Sequence, residues 1–250
     1  MIYILAIGNS FSEDATMLLH QTCAASHVDT TVVNLYIGGC PLEKHWQNIE
    51  KDEVAYQVQY NGRKTERRAS IQQVMGLAKW DYIVTQQASH DSGWADSYEP
   101  FLSMLVAYLR QEAPQAKICL QQTWAYEIDS HHEKFIRYNR DQAEMYRRLT
   151  ECYRDAATSH GLKLIPCGEV IQQLRTLPPF QYENGGLSLC RDGFHMHWLY
   201  GRYALALTWA HTLLGIRAQE NTFVPTHPDF PELKADPALL EIIRRTVDQF

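Results

Sequence analysis

The chain has 250 residues, 45% of them hydrophobic, and at this length an α/β chain commonly buries one large core, so residues 1–250 are expected to form a single domain. Acidic residues outnumber basic ones by 29 to 23, for a formal net charge of -6, and no Lys/Arg-rich block is present to hold a phosphate backbone, which excludes nucleic acid as a partner. No apolar run approaches the roughly 18 to 20 residues that a bilayer span requires, which excludes a membrane-spanning role.

Short apolar runs of the kind that form buried strands fall at residues 2–7, 31–37, 82–85, 118–121 and 163–166. The first begins with no basic start or cleavage site ahead of it, so the chain as written reads as cytoplasmic, or as periplasmic or secreted if a leader has been removed. Residues 54–60 and 63–68 flank Asn61-Gly62, the pair that suits a type I′ hairpin, and this hairpin is expected as a surface insertion. Helical spacing follows in three places: Leu102, Leu105 and Leu109 before Pro114; Met145, Leu149, Cys152 and Ala156 before Gly161; and Tyr203, Leu207, Ala210 and Leu214 before Gly215. Each breaker stands where a helix should stop. Residues 216–250 are expected to wrap the surface and end in an amphipathic helix carrying Leu239, Leu240, Ile243 and Val247. Strands alternating with helices predict a parallel sheet covered on both faces, because parallel neighbours need long crossovers. Cys23, Cys40, Cys119, Cys152, Cys167 and Cys190 contain no C-x-x-C pair; buried free thiols are expected, with no metal or cofactor.

The first strand runs into Gly8-Asn9-Ser10-Phe11-Ser12, followed by Glu13 and Asp14. Ser10 thus stands between a strand end and a helix start, where backbone N–H groups and the helix dipole favour developing negative charge. The competing reading makes Ser10 and Glu13 a capping box, or Ser12 an N-cap. Near the other end comes Arg191-Asp192-Gly193-Phe194-His195-Met196-His197. A serine hydroxyl needs an imidazole to take its proton and a carboxylate to fix that imidazole's tautomer. Asp192 and His195, on one short loop, can supply both. The alternatives are an N-capping Asp192 beside a surface histidine, and a metal-dependent hydrolase using Asp192, His195 and His197.

After the second strand, Gly38-Gly39-Cys40 can bring an N–H close to a ligand, as an oxyanion hole requires. After the third, Gln86-Gln87-Ala88-Ser89-His90 offers two amides that could complete such a hole. In a doubly wound sheet these strand ends converge on one crevice where the strand order reverses. Trp94, Trp124, Tyr126 and Trp198 follow the same strand ends and are candidate walls for a sugar ring, with core packing as the alternative. His90, Asp91, His131 and His132 are either at the mouth or in solvated loops.

G-N-S-F-S near the start, N-x-x-x-G-G from Asn34 to Gly39, and D-G-F-H from Asp192 to His195 resemble the blocks of the SGNH, or GDSL, hydrolase superfamily, over residues 2 to about 214. The resemblance implies a flavodoxin-like three-layer α/β/α sandwich with a five-stranded parallel sheet in the order 2-1-3-4-5, the hairpin being an addition. It implies Ser10 as nucleophile, Asp192 and His195 as its partners, and an oxyanion hole built from the N–H groups of Ser10 and Gly39 and a third-block amide. The first block has Asn9 where the family has aspartate. The third lacks G-x-N, and its glutamines are similar to those of carbohydrate acetylesterase branches in which glutamine takes the asparagine's role; Gln86 is the first choice and Gln87 the second. The whole pattern is also similar to a bacterial subfamily of SGNH-like proteins common in gut Bacteroidetes. The activity implied is that of a serine esterase acting through an acyl-enzyme on a small acyl ester, acetyl above all, of a small molecule or oligosaccharide. A non-catalytic carbohydrate-binding module on the same fold is the alternative.

Overall fold

The computed structural model describes residues 1–250. Its strands are β1 (Ile2–Gly8), β2 (Thr30–Tyr36), β3 (Tyr56–Tyr60), β4 (Arg63–Ala69), β5 (Tyr82–Thr85), β6 (Lys117–Gln121) and β7 (Lys163–Ile165), in one sheet of order β4-β3-β2-β1-β5-β6-β7. Five of them, β2-β1-β5-β6-β7, run parallel in the expected order. Their apolar residues, such as Ile4, Leu5, Leu35, Ile83 and Leu120, are fully buried, as a sheet covered on both faces demands.

The expectation of a five-stranded parallel sheet is corrected: the sheet has seven strands and is mixed. The hairpin is no detached insertion, because β3 pairs antiparallel with β2, from Val33 opposite Tyr60 to Tyr36 opposite Gln57. Tyr56 and Val58 are buried there, and the polar Gln59 is buried too, accepting from Asn34 at 2.8 Å and donating to Glu13 at 3.0 Å. At the tip Asn61 and Gly62 have φ of +48° and +78°, the left-handed pair of a type I′ turn. A Cβ on Gly62 would stand 2.0 Å from the Met17 carbonyl oxygen, so the tip packs against the body of the protein. β4 closes that side with exposed Arg63, Lys64, Arg67 and Arg68, charges that discourage a further strand from pairing.

The helices are α1 (Ser10–Thr16), α2 (Leu19–Ala24), α3 (Leu42–Glu50), α4 (Ile71–Met75), α5 (Phe101–Glu112), α6 (Gln142–His160), α7 (Cys167–Arg175), α8 (Tyr200–Leu214) and α9 (Pro237–Val247). α1, α2, α7 and α9 pack around α8, while α3 packs with α4 and α5. Most of α8 is buried, which suits a helix that is apolar nearly all round. Gly161 and Gly215 end α6 and α8 with φ of +59° and +68°, as their positions in the sequence suggested. The six cysteines are free thiols, five of them buried. No helix is long and apolar enough to cross a membrane. β1 has β2 on one side and β5 on the other, so the strand order reverses there and the crevice lies beyond its carboxyl end.

Candidate active site

At the end of β1 it is Asn9, rather than Ser10 or Ser12, that caps α1: its Oδ1 accepts the Phe11 N–H at 3.0 Å. Ser12 Oγ is turned inward, 2.8 Å from both the Asn9 carbonyl and Asn34 Oδ1, and Glu13 is held by Gln59 and Lys64. A Cβ at residue 8 would meet Ser12 Oγ at 2.6 Å, so only glycine fits this turn. Ser10 is released from capping, half-buried at the first position of α1 and on the wall of a cavity.

The loop ahead of α8 supplies the second half. Asp192 Oδ1 accepts the N–H groups of His195 and Phe194 at 2.8 and 3.2 Å, and Oδ2 lies 2.7 Å from His195 Nδ1. One carboxylate therefore sets both the turn and the ring. Burial pushes the Asp192 carboxyl up, but hydrogen bonds from the His195 ring and then from the backbone outweigh it and hold the group below its ordinary value. With Nδ1–H given to the carboxylate, Nε2 is left as an acceptor. Gly193 has φ +86°, and a Cβ there would lie 2.9 Å from Ser130 Cα.

What pins this loop is Asp14, which is fully buried. It accepts Arg191 at 2.9 Å, Arg202 at 2.7 Å and the Met196 N–H at 2.7 Å, tying the loop to the helix that begins with Ser10. Arg202 is itself only 3% exposed. The sequence shows Asp14 only as an acid near a helix start, where a dipole contact is explanation enough; its partners are too distant along the chain for spacing to reveal. α7 also intervenes between β7 and this loop, so the loop does not directly follow the fifth parallel strand.

Ser10, Gly39 and His195 line one cavity of about 250 Å³ walled by Phe11, Tyr36 and Phe194. The Phe11 and Phe194 rings lie 6.3 and 4.2 Å from the His195 ring. Gly39 has φ +62° and nothing within 4 Å of where a Cβ would be, and its N–H makes no hydrogen bond within the protein. It is a free donor at the wall. The rim adds Ser89, His90 and His132.

Other expected site residues are placed elsewhere. Gln86, 1% exposed, donates its amide to Asn9 Oδ1 at 2.8 Å, and Gln87 donates to the Ser97 carbonyl at 2.6 Å while accepting the Leu42 and Ala88 N–H groups. Neither lines the cavity; both tie loops together. Trp124 and Tyr126 are fully buried, Trp124 stacked on Phe11 at 4.0 Å and Tyr126 bonded to Ser89 Oγ at 2.9 Å, so neither offers a face to a sugar. Trp94 is covered by Arg137 and Arg148, and Trp198 by Arg191 and Arg202. The half-buried aromatic rings on the cavity wall are instead Tyr36 and Phe194. His197 accepts the Leu199 and Tyr200 N–H groups at its Nδ1 and so caps the start of α8, while Asp192 is committed to His195; the Asp192, His195 and His197 ligand set does not come together.

A family model described as a domain of unknown function, DUF4886, matches residues 3–233. No curated protein matches the sequence. Among solved structures, a DUF4886 family protein from Bacteroides uniformis ATCC 8492 is 35% identical, with a TM-score of 0.89 over 99% of this chain and 93% of that one. A protein of Slackia heliotrinireducens, named as a candidate SGNH hydrolase, is 20% identical with a TM-score of 0.58, covering 85% of this chain and 98% of its own. A catalytic mutant of an acetylxylan esterase from Geobacillus stearothermophilus is 13% identical, at a TM-score of 0.55 over 85% and 94%. At those identities the last two report the fold, and the fold is SGNH-like. The chain belongs to the DUF4886 family.

Proposed function

We propose that this protein is a serine-dependent carboxylic ester hydrolase that removes a small acyl group, acetyl in the first instance, from a carbohydrate. The observation that carries the proposal is that Ser10 and His195, from opposite ends of the chain, line one small cavity, with the Asp192 carboxylate 2.7 Å from the far nitrogen of the imidazole. The SGNH-like fold, shared with an acetylxylan esterase, supports the same reading.

In this mechanism Ser10 Oγ attacks the ester carbonyl carbon as its proton passes to His195 Nε2, and Asp192 stabilises the imidazolium. The tetrahedral oxyanion is held by the N–H groups of Ser10 and Gly39; loss of one such donor costs about 100- to 1000-fold in rate. His195 returns the proton to the departing alkoxide, leaving an acyl-Ser10 ester. Water then gives a proton to His195 and attacks that ester, and the acid leaves as Ser10 regains its hydrogen. Gln86 serves here as a positioning residue: its amide holds Asn9, which caps the helix that begins with Ser10. A cavity of about 250 Å³ with aromatic walls has room for an acetyl group and little for a long acyl chain.

The test is hydrolysis of p-nitrophenyl acetate, butyrate and octanoate by wild type and Ser10→Ala. Turnover that falls with chain length, and a loss of at least about 1000-fold in the variant, are expected. Activity that survives in Ser10→Ala and disappears with a chelator would instead establish metal-dependent hydrolysis. A protein that binds acetylated sugars and hydrolyses nothing would be a binding module.

A further inference from the structure

The active-site cavity opens onto a shallow groove of about 500 Å³ that it shares with Gly39, His90, His132 and Phe194, bordered by His131, Glu133, Lys134 and Asp192. His90 and His132 stand together on one side, ring centroids 6.2 Å apart and planes within 22°. Their outer contacts differ. His132 Nδ1 accepts the Lys134 N–H at 3.2 Å, so its proton is on Nε2 and its free nitrogen is a donor. Asp91 Oδ2 lies 3.3 Å from His90 Nε2; no hydrogen bond joins the two, but the carboxylate's charge favours the His90 proton on that nitrogen, with Nδ1 as the acceptor. Two neighbouring rings thus offer one donor and one acceptor.

We propose, building on the esterase reading above, that His90 and His132 form a recognition pair for two neighbouring hydroxyls of the alcohol part of the substrate, with its ring resting against Phe194. One hydroxyl donates to His90 Nδ1, and the other accepts from His132 Nε2–H. The groove suits a neutral polyol better than an anion. Burial holds both imidazoles below their ordinary value, with His90 and His195 adding to the effect at His132. Of the charges around them, Arg137 is committed to Asp91 and Asp192 to His195; Glu133 and Lys134 at the rim are of opposite sign. A long alkyl chain would find only Phe194 as an apolar side chain in the groove. The Tyr126 ring packs beside the His132 and Phe194 rings, with centroids 4.7 and 5.7 Å away, and so sets the spacing of those two.

The experiment compares two esters within each protein: methyl 4-O-acetyl-β-xylopyranoside, whose hydroxyls 2 and 3 are free neighbours, and its 2,3-dideoxy analogue, which carries neither. Each hydroxyl contact is worth about tenfold in kcat/KM, so wild type should favour the free diol by roughly 30- to 100-fold. In His90→Phe or His132→Phe, each of which removes one contact, this preference should fall to roughly 5- to 10-fold, and in the double variant to within about threefold of unity, whatever the variants do to overall turnover; His132→Gln, which keeps a donor, should restore part of it. A preference that stays unchanged in both phenylalanine variants overturns the proposal. Failure of wild type to hydrolyse any ester would refute the esterase reading alone. The pair is then judged by adding methyl β-xylopyranoside to Ser10→Ala and following the two imidazole rings by NMR. Signals of His90 and His132 that move support the pair; signals that stay in place overturn it.

Discussion

Replacing Asp14 with alanine should damage this protein more than its place on an ordinary helix suggests. The carboxylate is fully buried and carries Arg191, Arg202 and the Met196 N–H at 2.7 to 2.9 Å. Its removal leaves the buried Arg202 guanidinium without its anion, a loss of about 3–5 kcal/mol from a folding stability of about 5–15 kcal/mol. At about 2–4 °C per kcal/mol for a chain of this size, the melting temperature should fall by roughly 6–20 °C. Arg202→Met should cost less, because Asp14 keeps Arg191 and the backbone N–H. Thermal unfolding followed by circular dichroism measures both. The same change unfastens the loop bearing Asp192 and His195, and a displacement of about 1 Å there is enough to lower kcat/KM roughly 100-fold. An Asp14→Ala protein that melts within about 3 °C of wild type, equivalent to about 1 kcal/mol, would refute the reasoning, as would Arg202→Met proving the more harmful change.

Asp192→Asn, which can offer an N–H to Nδ1 and so push the imidazole proton to the wrong nitrogen, should lower kcat by about 10³- to 10⁴-fold on p-nitrophenyl acetate with little change in melting temperature; a loss below tenfold would contradict the assigned pair. His45 is fully buried, and burial pushes it down to about 3, against about 6.5 in an unfolded chain. Because only the unfolded chain takes up this proton, the contribution is complete above pH 6.5 and is lost as pH falls towards 3, at about 1.4 kcal/mol per pH unit. Urea unfolding at pH 7, 5 and 4 should therefore show a shallower acid loss in His45→Asn than in wild type, and superimposable pH curves would count against it.

The parallel strands were legible as short apolar runs, most of them buried on both faces, with β7 the edge strand that exposes Lys163, and β5 begins and ends where residues 82–85 suggest. The hairpin was legible as Asn61-Gly62, but its docking was not. It depends on Gln59, buried by bonds to Asn34 and Glu13, and a polar residue in a sequence reads as exposed. At the site, Ser10 and Gly39 could be gathered from the rule that strand ends meet where their order reverses; His195, whose loop follows α7 and no strand, could be added only from the partners a serine nucleophile needs and from the family resemblance. The aromatic walls could not. Trp124 and Phe194 carry the same apolar signal, and only the fold makes one of them core and the other wall. Gln86 and Gln87 stood where amides were sought, yet each is taken up by a neighbouring loop, Asn9 in one case and Ser97 in the other. Asp14 gave no sign at all, since a buried ion pair is known only from its partners.

The central claim is that Ser10 is a nucleophile activated by His195. Intact-mass analysis after treatment with a fluorophosphonate, followed by peptide mapping, tests it most directly. One adduct on Ser10 is predicted for wild type, none on Ser10→Ala, and strongly slowed labelling for His195→Ala. A wild-type protein that gains no adduct, or an adduct that persists in Ser10→Ala, would contradict it.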